Sequence, residues 1–466
     1  MRTATLGALA MAASLAPAVA CAWTVRLSAP VAAMVADAAG DVLVADQVTR
    51  RRTTASDIVK LDRRTGARAW RHRMRAAGRQ ERVALVGVLA PIAGTDVVVG
   101  GEVRSTAESG ALVARLAGRD GTERWRRLLR GGATAPAREA VTGAAVDAAG
   151  DVLVGGTLQG TDVPGDYGDL AVAKLRGGDG SDLWRFSLPG TQRADVLAVD
   201  ARGDAIAAGF RSGAPLYPAP QPAAVVVVKL DGETGRLLWR RDLDTAWNTK
   251  SIAIDDAGDV YLAVRTSGTN TADFGVAKLA GSTGEPIWFA RESAADATWE
   301  EAFRVLVDTP GAVYAAGITS DAARPPGYTT FVFTVVRLDA ATGTRVWSHR
   351  APAKRGSFAS TLLLHPAGTL IAAGYTSRAT TCADGVAVGI DAATGTRRWS
   401  RTVDGTFATR NCNGGCEMGS CSVADNDQIT ALAVDPAGRL IVAGLWVNRG
   451  DSHVGSGFVR RLPVRP

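Results

Sequence analysis

Histidine and cysteine are scarce in this chain: 466 residues carry four of the first and five of the second. No cysteine pair has the Cys-x-x-Cys spacing, and no histidine lies near the cysteines, so the usual ligand patterns of a zinc site are missing. Long apolar runs are also missing. After the first twenty-odd residues no stretch approaches the about 20 apolar residues that a membrane helix needs. Within residues 143–188 there is no 3.6-residue hydrophobic period, which argues against helices there.

What the chain does have is repetition. DAATGTRVWS (Asp339 to Ser348) returns 52 residues later as DAATGTRRWS (Asp391 to Ser400). Degenerate copies end at Trp70, Trp125, Trp184, Trp239 and Trp288, so that with Trp347 and Trp399 seven tryptophans fall 49 to 59 residues apart. A second phrase precedes each of them, as in VDAAGDVLVGG (Val146 to Gly156) and LAVDPAGRLIVAG (Leu432 to Gly444). Self-similarity at such a period decides the architecture before any local motif does.

The unit GAAVD, DVLVGG, LAVAKL, LWRFSL consists of short Val-, Leu- and Ala-rich runs bounded by Gly, Asp and Thr turns. It predicts four strands. Repeated four-stranded sheets bury both faces by stacking radially, so the expected fold is an all-β propeller of four-stranded antiparallel blades. The last unit, ITALAVDPAGRLIVAGLWV with GSGFVRRLP, lacks a Trp-bearing strand, and WTVRL (Trp23 to Leu27) supplies one at the other end. The expectation is eight blades, closed by the N-terminal strand pairing with the C-terminal blade. An open stack would leave two sheet edges free to aggregate. Residues 23–466 are read as one domain.

Residues 1–22 read as a secretory signal, with Arg2, an Ala/Leu-rich run and small residues at the cleavage region. Two outcomes stay open: cleavage after Ala20 or Ala22, or lipidation of Cys21, whose preceding Ala18-Val19-Ala20 lacks the usual Leu of a lipobox. The expected location is periplasmic or extracellular, with a lipid anchor at Cys21 as the variant. In an oxidising compartment Cys382, Cys412, Cys416 and Cys421 pair as two disulfides in one of three arrangements. The net charge of +7 does not imply nucleic acid. Many arginines (Arg71, Arg126, Arg127, Arg185, Arg240, Arg241) follow the repeat tryptophans on the outermost strands, where charge discourages edge pairing, and Arg50 to Arg52 read as a solvated loop.

The phrases LDAATGTRVW, LDGETGRLLW and LDRRTGARAW resemble the tryptophan-docking repeat of pyrroloquinoline-quinone (PQQ) type eight-bladed propellers, over Trp23 to Leu462. That family spans quinoprotein alcohol dehydrogenases and non-enzymatic members such as the outer-membrane assembly lipoprotein BamB. The resemblance implies a structural role for Trp23, Trp70, Trp125, Trp184, Trp239, Trp288, Trp347 and Trp399: each packs on the neighbouring blade, with an upper bound of about 4–5 kcal/mol from area. For the dehydrogenases it also implies an adjacent-cysteine disulfide over the quinone, a carboxylate and amide set for calcium and often a haem-binding CxxCH. This chain has no Cys-Cys dipeptide and no CxxCH, so no cofactor is expected, and PQQ with calcium is the minority reading.

No catalytic constellation emerges. His72 and His349 share one repeat position, His365 stands where an Asp opens the other turns, and His453 in GDSHVGSG has no strand-to-helix elbow around it. Asp162, Asp166 and Asp169 share a loop, but their spacing fits no calcium loop. The turns after the first and third strands are nearly constant, whereas the opposite face gathers Thr157 to Asp169, Phe210 to Ala223, Ile318 to Thr330, Leu445 to Gly457 and the cysteine insert. Tyr217, Trp247, Trp299, Tyr328 and Trp446 are the aromatics expected there, suited to a protein or glycan partner in the cell envelope or to packing their own loops. The sequence therefore points to an exported, non-catalytic, monomeric ring that binds through its long-loop face. A divergent PQQ-dependent dehydrogenase and an envelope-assembly lipoprotein are the alternatives.

Overall fold

Strands whose neighbours cover both faces need no alternation, and this chain shows it. In the third repeat Val152–Leu158 and Asp169–Leu175 are buried almost throughout, while the outermost Asp182–Leu188 is largely exposed. These three strands and Ala140–Val146 form one antiparallel sheet in chain order. The computed structural model describes residues 22–463 apart from 51–52, 78–81, 93, 106–107, 132–138, 159–167, 190, 192, 212–223, 268–271, 293–298, 309–310, 322–330, 354–355, 379–381, 404–426 and 447–455. The described residues form 32 strands and no helix.

The 32 strands make eight blades of four. Blades 1 and 2 share one hydrogen-bonded sheet, because the outermost strand of blade 1, Arg68–Arg73, is short. It leaves the start of Thr53–Leu61 free to pair in parallel with Arg82–Pro91, Thr53 opposite Arg82. Blade 8 is completed by the N-terminal strand Thr24–Arg26 on Ser456–Arg461, with Thr24 opposite Arg460 and Val25 opposite Val459. The buried residues fall into eight clusters, each spanning one blade-to-blade interface. The eighth joins Trp23, Ile441 and Val459 to Val31, Val42 and Leu61, so the ring is closed.

The repeat tryptophans dock forward onto the next blade. From Trp23 to Trp347 each indole N–H donates to a backbone carbonyl of the following third-to-fourth-strand turn, at 2.9–3.2 Å. The ring lies where only glycine fits: the seven turn glycines from Gly66 to Gly395 have φ of +71° to +75°, and a Cβ on any of them would meet an indole at 2.6–2.7 Å. Trp399 holds the eighth position but has no acceptor among the described residues. The turn it should dock on does not exist, because blade 8 joins its last two strands from opposite ends of the chain.

A second clamp sits beside the first. Lys60, Lys174, Lys229 and Lys278 are buried, and each donates to such a carbonyl of the next blade while pairing with the Asp of its own first turn. His365 takes the Asp role differently. Its Nδ1 accepts the Ala367 N–H at 3.0 Å, so Nε2 carries the proton and donates to the Gly438 carbonyl at 3.0 Å.

Candidate binding site on the inner wall

Repetition builds the ring, so residues that break the repeat are the ones with something else to do. The innermost strand of every blade carries a β-bulge near its long-loop end. In six blades the facing second-strand residue is a glycine: Gly101, Gly156, Gly209, Gly317, Gly374 or Gly444. A Cβ there would lie 1.7–2.0 Å from an innermost-strand carbonyl oxygen, so glycine permits the close approach.

Blade 5 has Val264 at this place. The carbonyl cannot approach a branched side chain, and the innermost strand Ala246–Ile254 takes a further bulge that sets Trp247 out of the ladder, in addition to the one at Lys250. Blade 1 has Asp46, but there the strand begins with that very pair, Val31 opposite Asp46, and nothing precedes it to be displaced.

The bulged residues go round the ring as Ala32, Gly87, Thr142, Asp195, Lys250, Phe303, Ser360 and Thr430. Blades 1, 2, 3 and 8 offer small, uncharged side chains. Blades 4 to 6 offer a carboxylate, an ammonium and a phenyl ring. Blade 7 adds Phe358, 4.5 Å from the Phe303 ring centroid, and Tyr375, stacked on Phe358 at 5.5 Å. Thr142 and Ser360 are spent on structure, since their hydroxyls donate to the Ala194 and Ile429 carbonyls of the next blades.

The centre of this half is Arg265, across the ladder from Asn248. Its guanidinium carbon lies 4.2 Å from the Trp299 ring centroid and 5.1 Å from that of Trp247, so the cation is held between two indoles. Among the described residues it makes no ion pair, and its Nε and the Asn248 Oδ1 are buried without hydrogen-bond partners. Trp299 remains 45% exposed. One residue past the blade 6 bulge, Arg304 is exposed to solvent, yet desolvation by the surrounding blades lowers its pKa and no charged neighbour offsets it. A wet but hemmed-in cation fits the wall of a narrow channel. Desolvation also raises the pKa of Asp195, against the opposing pull of Arg193 and Lys250, and it raises that of Tyr375.

Two of the five aromatics expected on the long-loop face, Trp247 and Trp299, are therefore brought together. Tyr217 and Tyr328 lie outside the described residues, as do Cys21, Cys412, Cys416, Cys421, Asp162, Asp166 and His453. Trp446 is a correction. It is 8% exposed, because it ends the strand Leu440–Trp446 and packs into the blade 7–8 core, stacked on Phe458 at 4.7 Å with the Arg26 guanidinium over its ring. Cys382 begins the strand Cys382–Asp391. Sequence reasoning missed Arg265, Asn248, Lys250 and Arg304. The usable signal was the phrase LAVRTS, with Val264 where six other repeats read Gly, and Arg265 where those six read Glu, Thr, Phe, Ile, Tyr or Leu and none has a basic residue.

Other concavities offer less. One of about 270 Å³ on blade 1 is lined by Val48, Thr53 and Arg73, and Arg73 is already bound to Asp57. Another of about 190 Å³ lies among the first-turn residues Asp255 and Asp308 on the constant face. Among the described residues no three His, Cys, Asp or Glu side chains converge as a metal-ligand set. The chain has no Cys-Cys dipeptide either, so the donors among the described residues do not form the quinone and calcium arrangement that the resemblance implies for the dehydrogenases.

An eight-bladed ring closed by its N-terminal strand and clamped by forward-docking tryptophans has the fold of the PQQ-type β-propellers. Residues 223–444, a little under half of the chain, match the PQQ-repeat family described as outer membrane protein assembly factor BamB. Among solved structures, the quinohemoprotein alcohol dehydrogenase of Comamonas testosteroni aligns at a TM-score of 0.53 and 14% identity, over 96% of this chain and 76% of its own. That of Pseudomonas putida HK5 gives 0.53 and 12% over the same shares. A europium-containing methanol dehydrogenase gives 0.53 and 11%, over 94% of this chain and 92% of its own. At these identities the likeness is one of fold. No curated protein matches the chain.

Proposed function

We propose that this is an exported binding protein whose partner seats on the long-loop side of the inner wall, against blades 4 to 7. The observation that carries the reading is Arg265, held between Trp247 and Trp299 with no counter-ion among the described residues while one indole stays open to solvent. Structural arginines of the repeat do not look like this: Arg71 and Arg73 are bound to Asp57, and Arg241 reaches the Gly284 carbonyl of the next blade. In this proposal residues 1–22 direct export, Cys382, Cys412, Cys416 and Cys421 form two disulfides, and the partner is a protein or glycan of the cell envelope. Capture from a native envelope fraction tests it. Wild type should retain a partner that Trp299→Ala loses and that Val346→Ala, an exposed outer-strand control, keeps; equal retention by all three would end the proposal.

A divergent quinone-dependent dehydrogenase is the second reading, favoured by the fold shared with the alcohol dehydrogenases. A saturable rise in melting temperature with PQQ and calcium would support it, since a ligand that binds only the folded state raises that temperature. An envelope-assembly lipoprotein requires an acylated Cys21, and a mature N-terminus at Ala22 or Trp23 by mass spectrometry excludes it.

A further inference from the structure

Resting on the proposed use of the inner wall, we infer that its ligand is an acidic saccharide, a chain of uronic-acid type. Three features select that chemistry. The open face of the Trp299 indole is flat, apolar and backed by Arg265, which fixes it in place; such a face suits the C–H side of a pyranose ring. The cations Arg265, Lys250 and Arg304 make no ion pair among the described residues, and a guanidinium fork binds carboxylate in two-pronged fashion. Asn248, half-buried across the ladder from Arg265, holds an amide oxygen without a donor, and sugar hydroxyls supply donors as well as acceptors.

Other anions fit less well. A DNA backbone offers the wall acceptors and no donor for Asn248, and an RNA backbone, whose 2′-hydroxyl can donate, has no carboxylate for the guanidinium and only a small furanose to lay on Trp299. An acidic peptide offers carboxylates, but its side chains have no rigid apolar face to lay on Trp299.

The test is isothermal titration of the full mature chain with trigalacturonate, with neutral galactotriose and with hexaglutamate. Saturable binding of trigalacturonate is expected, at least about tenfold tighter than galactotriose, and weaker as salt is raised because charge pairing is screened. Arg265→Gln and Trp299→Ala should each lower affinity by about tenfold or more, with unchanged circular dichroism and melting temperature showing that the ring is intact. Arg265→Lys keeps the charge but loses the fork and the stack, and should behave like Arg265→Gln. No saturable binding of trigalacturonate overturns the inference, and so does binding that Trp299→Ala leaves unaltered. Hexaglutamate binding at least as tightly would reassign the wall to acidic peptides. If uronates fail while envelope capture still depends on Trp299, the ligand class is wrong and the binding surface stands.

Discussion

The indole N–H of Trp70 and the ammonium of Lys60 donate to the same acceptor, the Gly118 carbonyl of the next blade, at 2.9 and 3.0 Å. One oxygen thus fixes a tryptophan and a lysine from the preceding blade, and the lysine is held in turn by Asp37 at 2.6 Å. The arrangement recurs at Trp184 and Lys174, Trp239 and Lys229, and Trp288 and Lys278.

Breaking this clamp on one side should cost more than removing it whole. The Asp37 side chain is fully buried against Lys60, so Lys60→Met strands a carboxylate and should destabilise the ring by about 3–5 kcal/mol. Adding Asp37→Asn, which keeps the oxygen that accepts the Ala39 and Asp41 N–H groups, should recover part of that loss. Denaturant unfolding of the two variants checks the order.

The tryptophan hydrogen bond can be isolated by comparing two positions. Trp70→Phe leaves the Gly118 carbonyl with one donor fewer and should cost about 1 kcal/mol beyond the change in packing. Trp399→Phe loses no hydrogen bond made among the described residues, so its effect should be smaller. Equal shifts in melting temperature would show that the forward bond contributes nothing.

Ring closure predicts that the N-terminal strand is as important as any core element. Trp23 is buried against the Gly66 turn of blade 1 and donates to the Arg63 carbonyl. Trp23→Ala should destabilise by about 3–5 kcal/mol and, by loosening the strand that covers Ser456–Arg461, promote aggregation through the freed edge. Light scattering during a thermal melt reads both effects.

Acid should weaken the fold. Asp391 is lowered from its ordinary 3.8 to about 2, first by the Arg398 guanidinium and then by the Thr394 N–H and hydroxyl, and Asp120 falls to about 2 through Thr122. Asp62, Asp231 and Asp339 are lowered by the same turn bonds. A carboxylate depressed in the folded state binds protons less readily there than in the unfolded chain, so its stabilisation is complete above about pH 4 and is lost as pH falls toward 2. Asp46 and Asp195, raised by burial, act in the opposite sense but are outnumbered. The melting temperature should therefore fall across that window, and Thr394→Val should flatten part of the fall.

The sequence carried the ring plainly because turns and tryptophans are set by local rules: a Gly at φ near +72° and an Asp that accepts the N–H two or three residues on leave their mark in any copy. The lysine clamp was equally visible as a Lys-Leu pair at Lys60, Lys174, Lys229 and Lys278, but its meaning depends on a carbonyl in the next blade. Trp446 misled because a residue bordering a long loop can still end a buried strand. The inner wall was the least legible part. Arg265 and Trp299 are 34 residues apart and meet only across two blades, and the bulge that presents Trp247 follows from a missing glycine, which becomes apparent once the blades are set in register.

The central claim, that binding occurs on the inner wall of blades 4 to 7, is tested most directly by site-specific photo-crosslinking in cells. A benzophenone amino acid placed at Phe303, the bulged aromatic of blade 6 on the same wall, leaves Trp299 and Arg265 in place and should capture the partner, and one placed at Val346, exposed on an outermost strand, should not. Capture from Val346 with none from Phe303 would contradict the account and move the binding surface to the outside of the ring.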